Sequence, residues 1–475
     1  MPILLTDVIR RRCILPVAPL LMALAAAACG ADQAQTTGLA GVVAPPVVLS
    51  ANTVVAVTVG SSVFYDASKG GTAFSDPAKK GLTYRVDMAG STGLVAVGCE
   101  LTGIPLVPGT IAAIVTATDA NGRTASDQFT IVVFAAGLPT PALPLVADQY
   151  AVALPQQYLL QGIGGSVAGT DNTPSTNPVT NAGAALGRVL FHDPRLSGND
   201  RLACASCHIQ SLGFSDTARL STGFKDGLTK RHAMGLANAR FYQRGRFFWD
   251  ERAATLEDQV LGPIQDTVEM GMTLEALALK LAATTYYKPL FTAAFGTTDI
   301  TTDRISKALA QYVRSFVSAS SKFDRAFTGG GQPNFAAAGF TAQEQQGEAI
   351  FRNSGCVRCH ATNGQVSDDI HNTGLDATIT DVGAGGGRFK APSLRSVAVR
   401  APYMHDGRFK TLDEVVAFYN TGVQNNPNLD NRLRGPGGVQ RLGLSGTEQA
   451  ALVAFMRTLT DSTLLTASRF SSPFK

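Results

Sequence analysis

The sequence has little net charge and no long run of basic residues. Its formal net charge is +4 over 475 residues, so nucleic acid is not expected as its main partner. The apolar run ILPVAPLLMALAAAA near the N-terminus is too short to span a bilayer comfortably. The sequence has enough apolar residues to form a core, because an apolar fraction of 45% is ordinary for a globular protein. The length allows two to four domains.

Residues 1–29 read as an export leader. Arg10 to Arg12 give a positive start, the apolar run follows, and small residues in LAAAACG lead to Cys29. This end resembles the bacterial lipobox, in which the cysteine is diacylated and becomes the new N-terminus. Ordinary signal cleavage and a retained membrane anchor are the alternatives. The leader predicts an extracytoplasmic protein, periplasmic or attached to the outer membrane as a lipoprotein, with residues 30–45 as a tether and membrane contact only through the anchor.

Residues 46–135 carry short runs rich in β-branched residues, separated by Gly, Asp and Asn. The string DANG at 119–122 lies between two such runs and predicts a turn that links strands. Several strands in about 90 residues predict an all-β sandwich. The end of the segment resembles immunoglobulin-like repeats of bacterial surface proteins, and any other small all-β module is the alternative. Cys99 stands alone, so no disulfide is expected within this module unless two chains pair.

Beyond a Pro-rich linker at 136–150, the composition is helical and rich in loops. The string GGGQPNFAAAG suggests a junction between two mainly α domains, 151–330 and 331–475. Helix starts are marked by Ser or Thr followed three residues later by an acid. These pairs are Thr255 with Asp258, Thr341 with Glu344, Thr411 with Glu414 and Ser445 with Glu448.

Two strings, CASCH and CVRCH, have the spacing of covalent haem attachment. Two thiols separated by two residues reach the two vinyl groups of one haem, and the histidine that follows becomes an axial iron ligand. The residues are Cys204, Cys207 and His208 for the first motif, and Cys356, Cys359 and His360 for the second. Thioredoxin-like redox pairs would need a βαβ context that is absent, and zinc would need both pairs close together. The sequence therefore predicts two covalently bound haem c groups.

The strings around these motifs resemble the bacterial di-haem cytochrome c peroxidase family, which includes MauG, over about residues 180–460. In order, they are LGRVLFHDPRLS, CASCH, GFSD, GLANARFYQRGRFFWDERAATLEDQVLGPIQDTVEMGM, GEAIFRNSGCVRCH and FKAPSLRSVAVRAPYMHDGRFKTLDEV. The resemblance does not cover the β-module, and it implies two mainly α cytochrome c-like haem domains. The expected fold is therefore an N-terminal all-β sandwich followed by these two haem domains. The resemblance also implies that electrons pass from the C-terminal haem to the N-terminal haem, where peroxide is reduced.

The same resemblance implies a distal side of the first haem built from Gln259, Pro263 and Glu269. A carboxyl group such as Glu269 can carry a proton from the near oxygen of peroxide to the far one. Without the resemblance, Glu269 would read as a surface acid between helices. Trp249, the only tryptophan in the chain, falls where the family places a relay between the haems, although a tryptophan beside two phenylalanines is also typical of a core.

Three positions depart from the family pattern. The loop GFSDTARLSTGFKDG contains no histidine, and Phe224 occupies the place of a distal ligand. The first iron is then expected to be five-coordinate or water-bound, with no need for reductive activation. His232 and Arg400 fall where the family has calcium ligands, although His232 is also the next histidine that could replace the missing ligand. A histidine and an arginine suit Ca²⁺ poorly because it prefers oxygen ligands, so calcium is doubtful.

The sixth ligand of the second iron is predicted to be Tyr419, with Met404 as the fallback. Typical family peroxidases place a methionine fourteen residues after the HDG histidine, here His405, and MauG-like members carry tyrosine there. Leu412, Val415, Val416 and Tyr419 share one helical face, so a plain core role for Tyr419 is the alternative. A phenolate ligand stabilises oxidised iron and lowers its potential.

Four further residues have weaker assignments. Arg395, in PSLRSV, is predicted to pair with a haem propionate, because arginine suits carboxylates. Tyr403 is assigned to packing and His405 to a supporting role, while His192 and His371 receive no functional role.

Three functions remain open from the sequence. The first is reduction of hydrogen peroxide with electrons from a small redox protein, either a cytochrome c or a cupredoxin. The second is MauG-like oxidation of a side chain on a partner protein. The third is electron transfer without catalysis, with the β-module docking the protein to a surface.

Overall fold

The computed structural model describes residues 44–52, 54–90, 93–144, 147–327, 331–367, 369–435 and 437–474. The leader, Cys29 and most of the tether lie outside these residues, so lipidation stays a prediction. The chain forms two compact units, one ending at Ala136 and the other beginning at Gly137. Among the described residues, no helix combines the length and the apolar character needed to cross a membrane.

The first unit consists of short antiparallel sheets with one parallel pairing. Its strands are β1 (Val47–Val48), β2 (Val55–Thr58), β3 (Val63–Asp66), β4 (Phe74–Ser75), β5 (Leu82–Met88), β6 (Leu94–Val97), β7 (Glu100–Gly103), β8 (Gly109–Asp119) and β9 (Thr124–Phe134). One sheet has the order β2-β9-β8-β5, a second has the order β3-β7-β6, and β1 pairs with β4. Strand β2 runs parallel to β9. The predicted strand-rich N-terminal module is confirmed.

Side-chain alternation explains the core of this unit. Along β8, Ile111, Ala113, Val115 and Ala117 are buried while the residues between them are not, as the twofold periodicity of a strand requires. They join one apolar cluster to which β5, β6, β7 and β9 also contribute. The predicted DANG turn joins β8 to β9.

Cys99 corrects one sequence prediction. Its side chain is fully buried in the turn between β6 and β7, and it is disulfide-bonded. The expectation that it stands alone is therefore wrong. The four motif cysteines are free.

The second unit is mainly helical. Its helices are α1 (Gln156–Leu159), α2 (Asn181–His192), α3 (Cys204–Cys207), α4 (Leu256–Gln265), α5 (Leu274–Ala283), α6 (Tyr287–Phe295), α7 (Thr302–Arg314), α8 (Lys322–Arg325), α9 (Ala342–Asn353), α10 (Leu412–Ala417), α11 (Gly446–Arg457) and α12 (Ser462–Thr466). Short strands β10 (Ile370–His371) and β11 (Phe389–Lys390) pair, as do β12 (Arg434–Gly435) and β13 (Gly438–Val439). A π-helical turn, Phe418–Gly422, continues α10.

All four predicted helix starts are observed. The side chains of Thr255, Thr341, Thr411 and Ser445 each accept a hydrogen bond from the backbone three residues later. At the last three, the acid also accepts from the cap residue, which completes a capping box.

Each half of the second unit is built on a close pair of helices. A Cβ atom on Gly187 of α2 would lie 2.1 Å from the carbonyl oxygen of Ala308 on α7. A Cβ atom on Gly347 of α9 would lie 1.9 Å from the carbonyl oxygen of Ala451 on α11. Glycine is therefore required at both crossings. Each pair positions the start of the loop that carries a CxxCH motif.

The C-terminal tail returns to the first half. Arg188 of α2 donates hydrogen bonds of 2.8 Å to the carbonyl groups of Ser468 and Ser471. Phe470 packs against Phe316 at the end of α7. The two halves therefore belong to one compact unit, and the boundary near residue 330 stays a prediction.

Candidate active site

Both CxxCH motifs lie on a single helical turn. The first forms α3, and the backbone N–H of His208 donates to the carbonyl of Cys204 at 3.0 Å. The second forms a 3₁₀ turn, and His360 donates to Cys356 at 2.9 Å. A helical turn brings residues three apart to one side, so each thiol pair can reach one edge of a porphyrin.

The two motif histidines are prepared alike as iron ligands. Nδ1 of His208 lies 2.8 Å from the carbonyl oxygen of Phe214, and Nδ1 of His360 lies 3.1 Å from that of Pro392. A carbonyl only accepts, so Nδ1 carries the proton and the lone pair of Nε2 is left for a metal. Burial lowers the pKa of His208, and it lowers that of His360 to about 4. Both imidazoles are therefore neutral at neutral pH.

A large apolar cavity adjoins the second motif. It has a volume of about 220 Å³ and is lined by Cys356, Cys359 and His360 together with leucine, valine and aromatic residues. Free thiols, a neutral imidazole and an apolar cavity are what a covalently bound haem requires. At the first motif the free thiols and the neutral histidine meet the same need.

Glu269 lies close to the first motif. Burial raises its pKa, the carboxylate of Asp266 raises it further, and the guanidinium of Arg252 opposes both. The charge of Glu269 also contributes, after burial, to raising the pKa of the Cys204 thiol. The structure therefore brings a half-buried carboxyl group to the first motif, and its catalytic role stays a prediction.

The loop that carries Glu269 is fixed at the end of α4. The backbone N–H of Met272 donates to Ile264 at 2.8 Å, and that of Gly271 donates to Asp266 at 2.9 Å. Gln259 and Pro263 lie on α4 itself, with Pro263 in the last part of the helix. Their predicted place on the distal side of the first haem stays a prediction.

Phe224 packs directly beside this loop. Its backbone N–H donates to the carbonyl of Glu269 at 3.0 Å. A Cβ atom on Gly271 would lie 2.1 Å from the Phe224 ring, so a side chain there would displace the phenylalanine. Phenylalanine offers no donor atom to a metal.

Trp249 lines the cavity of the second motif. Its indole Nε1 donates to the carbonyl of His232 at 2.8 Å, and its ring centroid lies 6.5 Å from that of His405. Since a backbone carbonyl cannot take up the indole proton, Trp249 keeps that proton whatever its electronic role.

Short contacts connect the first motif to Trp249. Nδ1 of His208 donates to Phe214, and the hydroxyl of the next residue, Ser215, lies 3.2 Å from Nε2 of His232. The carbonyl of His232 then receives the indole N–H of Trp249. Sequence reasoning missed Ser215, since an isolated serine carries no motif signal.

His232 and Arg400 are both buried. The hydroxyl of Ser215 and the carbonyl of Ala218 engage the two ring nitrogens of His232, and Arg400 donates to the carbonyl of Ser393. Within the described ranges, no group of three His, Cys, Asp or Glu residues could hold a metal ion. The doubt about calcium stays a prediction.

The predicted helical face is observed on α10 and the π-helical turn. Leu412, Val415, Val416 and Tyr419 all line the second cavity. Burial raises the pKa of Tyr419, and the nearby Cys359 and Cys356 raise it further. Met404 lines the same cavity with a left-handed backbone, φ 73°. The choice between the two ligands stays a prediction.

His405 and Tyr403 border this cavity as well. The His405 ring stacks on Phe389 with 3.6 Å between centroids, and its Nε2 lies 3.8 Å from Asp381. The Tyr403 hydroxyl donates to the carbonyl of Val397 at 3.0 Å, which fits a packing role.

Arg395 already has a carboxylate partner. Its guanidinium is fully buried and lies 2.5 Å from Asp324, which also caps α8. Its Nε atom has no hydrogen-bond partner among the residues that the structure describes. The predicted pairing with a propionate therefore stays a prediction.

The two histidines without an assigned role differ in setting. His192 faces the carbonyl of Arg188 with Nδ1 at 3.0 Å, and burial lowers its pKa to about 4. His371 instead lines the second cavity.

The chain matches two family models over its second unit. One, described as di-haem cytochrome c peroxidase, covers residues 181–332, and the other, cytochrome c, covers residues 344–460. The methylamine utilization protein MauG of Methylophilus methylotrophus is 33% identical over 299 residues, 60% of this chain and 84% of that protein. The chain belongs to the di-haem cytochrome c peroxidase and MauG family.

Other members of the family agree. The cytochrome-c peroxidase IdrP2 of Denitromonas iodatirespirans is 32% identical over 349 residues, 64% of this chain and 89% of that protein. A crystal structure of a MauG-like protein associated with microbial copper homeostasis is 32% identical, with a TM-score of 0.56 over 64% of this chain and 96% of that one. Family membership makes this protein a peroxidase-type oxidoreductase with two covalently bound haem c groups.

Proposed function

We propose that this protein reduces hydrogen peroxide with electrons from a small extracytoplasmic redox protein, and that they pass from the C-terminal haem to the N-terminal haem. The observation that carries the proposal is the half-buried Glu269 carboxyl, with its raised pKa, beside the first haem-attachment motif. A carboxyl group with a perturbed pKa beside a cofactor site is a candidate for proton transfer.

Haem supplies the iron that binds peroxide and exchanges electrons. The protein's own contribution is proton handling and position. Glu269 takes the proton from the near oxygen of bound peroxide and returns it to the far oxygen, which then leaves as water. Two electrons and two further protons complete the reduction to two waters. The raised pKa of Glu269 suits it to both proton transfers.

Gln259 and Pro263 are proposed to shape the distal side from α4. Gln259 can donate a hydrogen bond to peroxide, whereas Pro263 has no backbone N–H that would compete. Phe224, whose backbone N–H bonds to Glu269, has no side-chain donor atom, so it would not compete with peroxide for the haem iron.

Trp249 is proposed to carry electrons between the haems. Its indole lines the second cavity, and its hydrogen bond to His232 leads through Ser215 to the first motif. These contacts support the relay role over a purely structural one.

A second candidate function is MauG-like oxidation of a side chain on a partner protein. The observation that favours it is Tyr419 in the second cavity, because a phenolate ligand stabilises oxidised iron and disfavours acceptance of electrons from a cytochrome. In this reaction peroxide is still reduced at the first haem, but the electrons come from the partner protein through the second haem and Trp249.

The leader sequence supports placement outside the cytoplasm, with Cys29 as the proposed lipid attachment point. In this compartment the candidate electron donors are soluble cytochromes c and cupredoxins. Calcium is proposed to be absent from the site of His232 and Arg400.

The test is peroxide consumption by the purified di-haem protein with a reduced cytochrome c or a reduced cupredoxin. We expect donor oxidation that matches peroxide loss and depends on Glu269. Peroxide loss without donor oxidation, accompanied by new cross-links or oxygen insertion in a co-purified protein, would favour the second function. An absorption band at roughly 695 nm is expected only with a methionine ligand, so its appearance would assign Met404 rather than Tyr419 as the sixth ligand of the second iron.

A further inference from the structure

His371 is a buried histidine that neither haem attachment nor the proton chemistry of Glu269 uses. It ends the short strand β10 and lies opposite Phe389 of β11. Its side chain is only 3% exposed, and it forms part of the wall of the second cavity.

One side of the His371 ring is held by an aspartate. Nδ1 lies 2.6 Å from Oδ2 of Asp430 and 3.0 Å from Nη1 of Arg432. A carboxylate only accepts and a guanidinium only donates, so one nitrogen cannot bond both. The shorter contact places the proton on Nδ1, and Arg432 serves the carboxylates of Asp430 and Asp369 at 3.4 and 3.1 Å.

The other side of the ring has no partner within the described ranges. Nε2 is buried and makes no hydrogen bond to protein. A buried polar atom without a partner costs free energy, so native proteins almost always supply one. The cavity that His371 lines is the one that receives the second haem.

Haem offers two kinds of surface to such a wall. Its ring is apolar and suits Leu412, Val415 and Val416, whereas its two propionates are carboxylates that need donors. Lys390, Arg400 and Arg432 line the same cavity. Each already has a protein acceptor: Glu251 at 2.8 Å for Lys390, the carbonyl of Ser393 for Arg400, and Asp369 for Arg432. Within the described ranges, Nε2 of His371 is a buried ring nitrogen in this cavity wall that has no protein partner.

We propose that His371 binds a propionate of the second haem as an imidazolium, with Nδ1 donating to Asp430 and Nε2 donating to the propionate. The carboxylate on each side of the ring stabilises its positive charge. Asp430 orients the imidazolium from behind, so the order of groups is carboxylate, imidazolium, propionate. This contact fixes the orientation of the second haem and, by drawing negative charge from the propionate, favours its reduced state. The proposal rests on the presence of haem c and does not depend on which redox protein supplies the electrons.

The test compares His371→Leu with His192→Leu in the full-length di-haem protein. His192 is the control because it is a half-buried histidine that does not line the second cavity. Haem content is measured first, and each haem is then titrated by spectroelectrochemistry. We expect His371→Leu to shift the reduction equilibrium of the second haem toward the oxidised form by roughly tenfold, the effect of one hydrogen bond to a charged group. The first haem should not change, and His192→Leu should leave the second haem unchanged.

Resonance Raman spectra of the same samples give an independent readout. The propionate bending modes of the second haem should change in His371→Leu, while its axial-ligand and spin-state bands should not. Unchanged propionate modes together with an unchanged equilibrium would overturn the proposal. A switch of the second iron from low spin to high spin would also overturn it, by assigning His371 to the iron.

Two milder variants cover the case in which His371→Leu does not retain both haems. His371→Gln keeps a donor, and Asp430→Asn keeps the backbone cap of the following turn. His371→Gln should give a smaller shift in the same direction. Asp430→Asn also removes a negative charge from the cavity wall, which by itself favours the reduced state, so its readout is the change in the propionate modes. No shift in His371→Gln together with unchanged propionate modes in Asp430→Asn would contradict the assignment. Loss of peroxide turnover in the wild type would count against the proposed function but would leave these spectra unaffected.

Discussion

The two haem-attachment sites are alike on one side and different on the other. Each motif histidine is half-buried, neutral and held by a backbone carbonyl through Nδ1. Beyond the histidine, the first motif meets Glu269, whereas the second meets a cavity lined by Tyr419 and aliphatic side chains. Each CxxCH motif therefore prepares one iron ligand in the same way. The proposed difference in function comes from the segments that pack near each motif, the loop with Glu269 and the turn with Tyr419.

The difference comes from two short segments with contrasting geometry. The loop after α4 folds back on the helix end and holds Glu269 beside the first motif. The π-helical turn Phe418–Gly422 widens the end of α10 where Tyr419 enters the second cavity. Such turns are rare and are often found at functional sites.

The largest effect is expected from Glu269→Gln. This change removes proton transfer at the first site and leaves the side chain almost the same size. Peroxide turnover with a reduced donor should fall by roughly 10² to 10⁴-fold, with both haems still attached. Glu275→Gln, on the exposed start of α5, is the matched control and should keep full activity. An equal loss in both variants would place the effect in folding rather than in catalysis.

Trp249→Phe should break the connection between the two sites. Phenylalanine keeps the aromatic packing but loses the indole N–H that joins Trp249 to His232. Donor-dependent turnover should fall toward the rate without donor, whereas the first reaction of the oxidised protein with peroxide should keep its rate in stopped-flow traces. Full turnover with the donor would exclude Trp249 as the relay.

Tyr419→Met should make the second site resemble a high-potential cytochrome. We expect its reduction potential to rise by a sizeable part of the roughly 0.8 V range that axial ligands cover, while the potential of the first haem stays constant. Met404→Leu is the control and should change neither potential. If Met404→Leu alters the second haem and Tyr419→Met does not, the ligand assignment is reversed.

Asp266→Asn should shift the pH profile of the first site slightly. Glu269 must be ionised to accept a proton, so turnover falls as pH decreases through its pKa. Since that pKa is raised, the fall occurs at a higher pH than for an ordinary glutamate. Asp266 contributes to the rise and Arg252 opposes it, so Asp266→Asn should move the acid limb to lower pH and Arg252→Gln should move it to higher pH. Shifts of the same sign in both variants would contradict this electrostatic account.

Local chemistry in the sequence was enough to predict the motifs, the helix caps and the face of α10. Each depends on residues at most eight positions apart, as with Thr411 and Glu414 or Leu412 and Tyr419. The strand-rich module was predictable for the same reason, because the alternation of buried and exposed residues along β8 is a local pattern.

Contacts between distant residues were not predictable. Three such features depend on residues that folding brings together. They are the disulfide of Cys99, the pairing of Arg395 with Asp324, and the burial of His371 Nε2 in the wall of the second cavity. Arg395 illustrates this limit. Its residue type suggested a carboxylate partner, but only the fold shows that the carboxylate of Asp324 already pairs with it.

The most direct test of the contrast between the two sites is electron paramagnetic resonance of the fully oxidised wild-type protein. We predict one high-spin signal from the first iron, which the Phe224 loop gives no ligand, and one low-spin signal from the second iron, with His360 and Tyr419 as its ligands. Two low-spin signals in equal amounts would show that a side chain fills both sixth positions, and the proposed division of tasks would then be wrong.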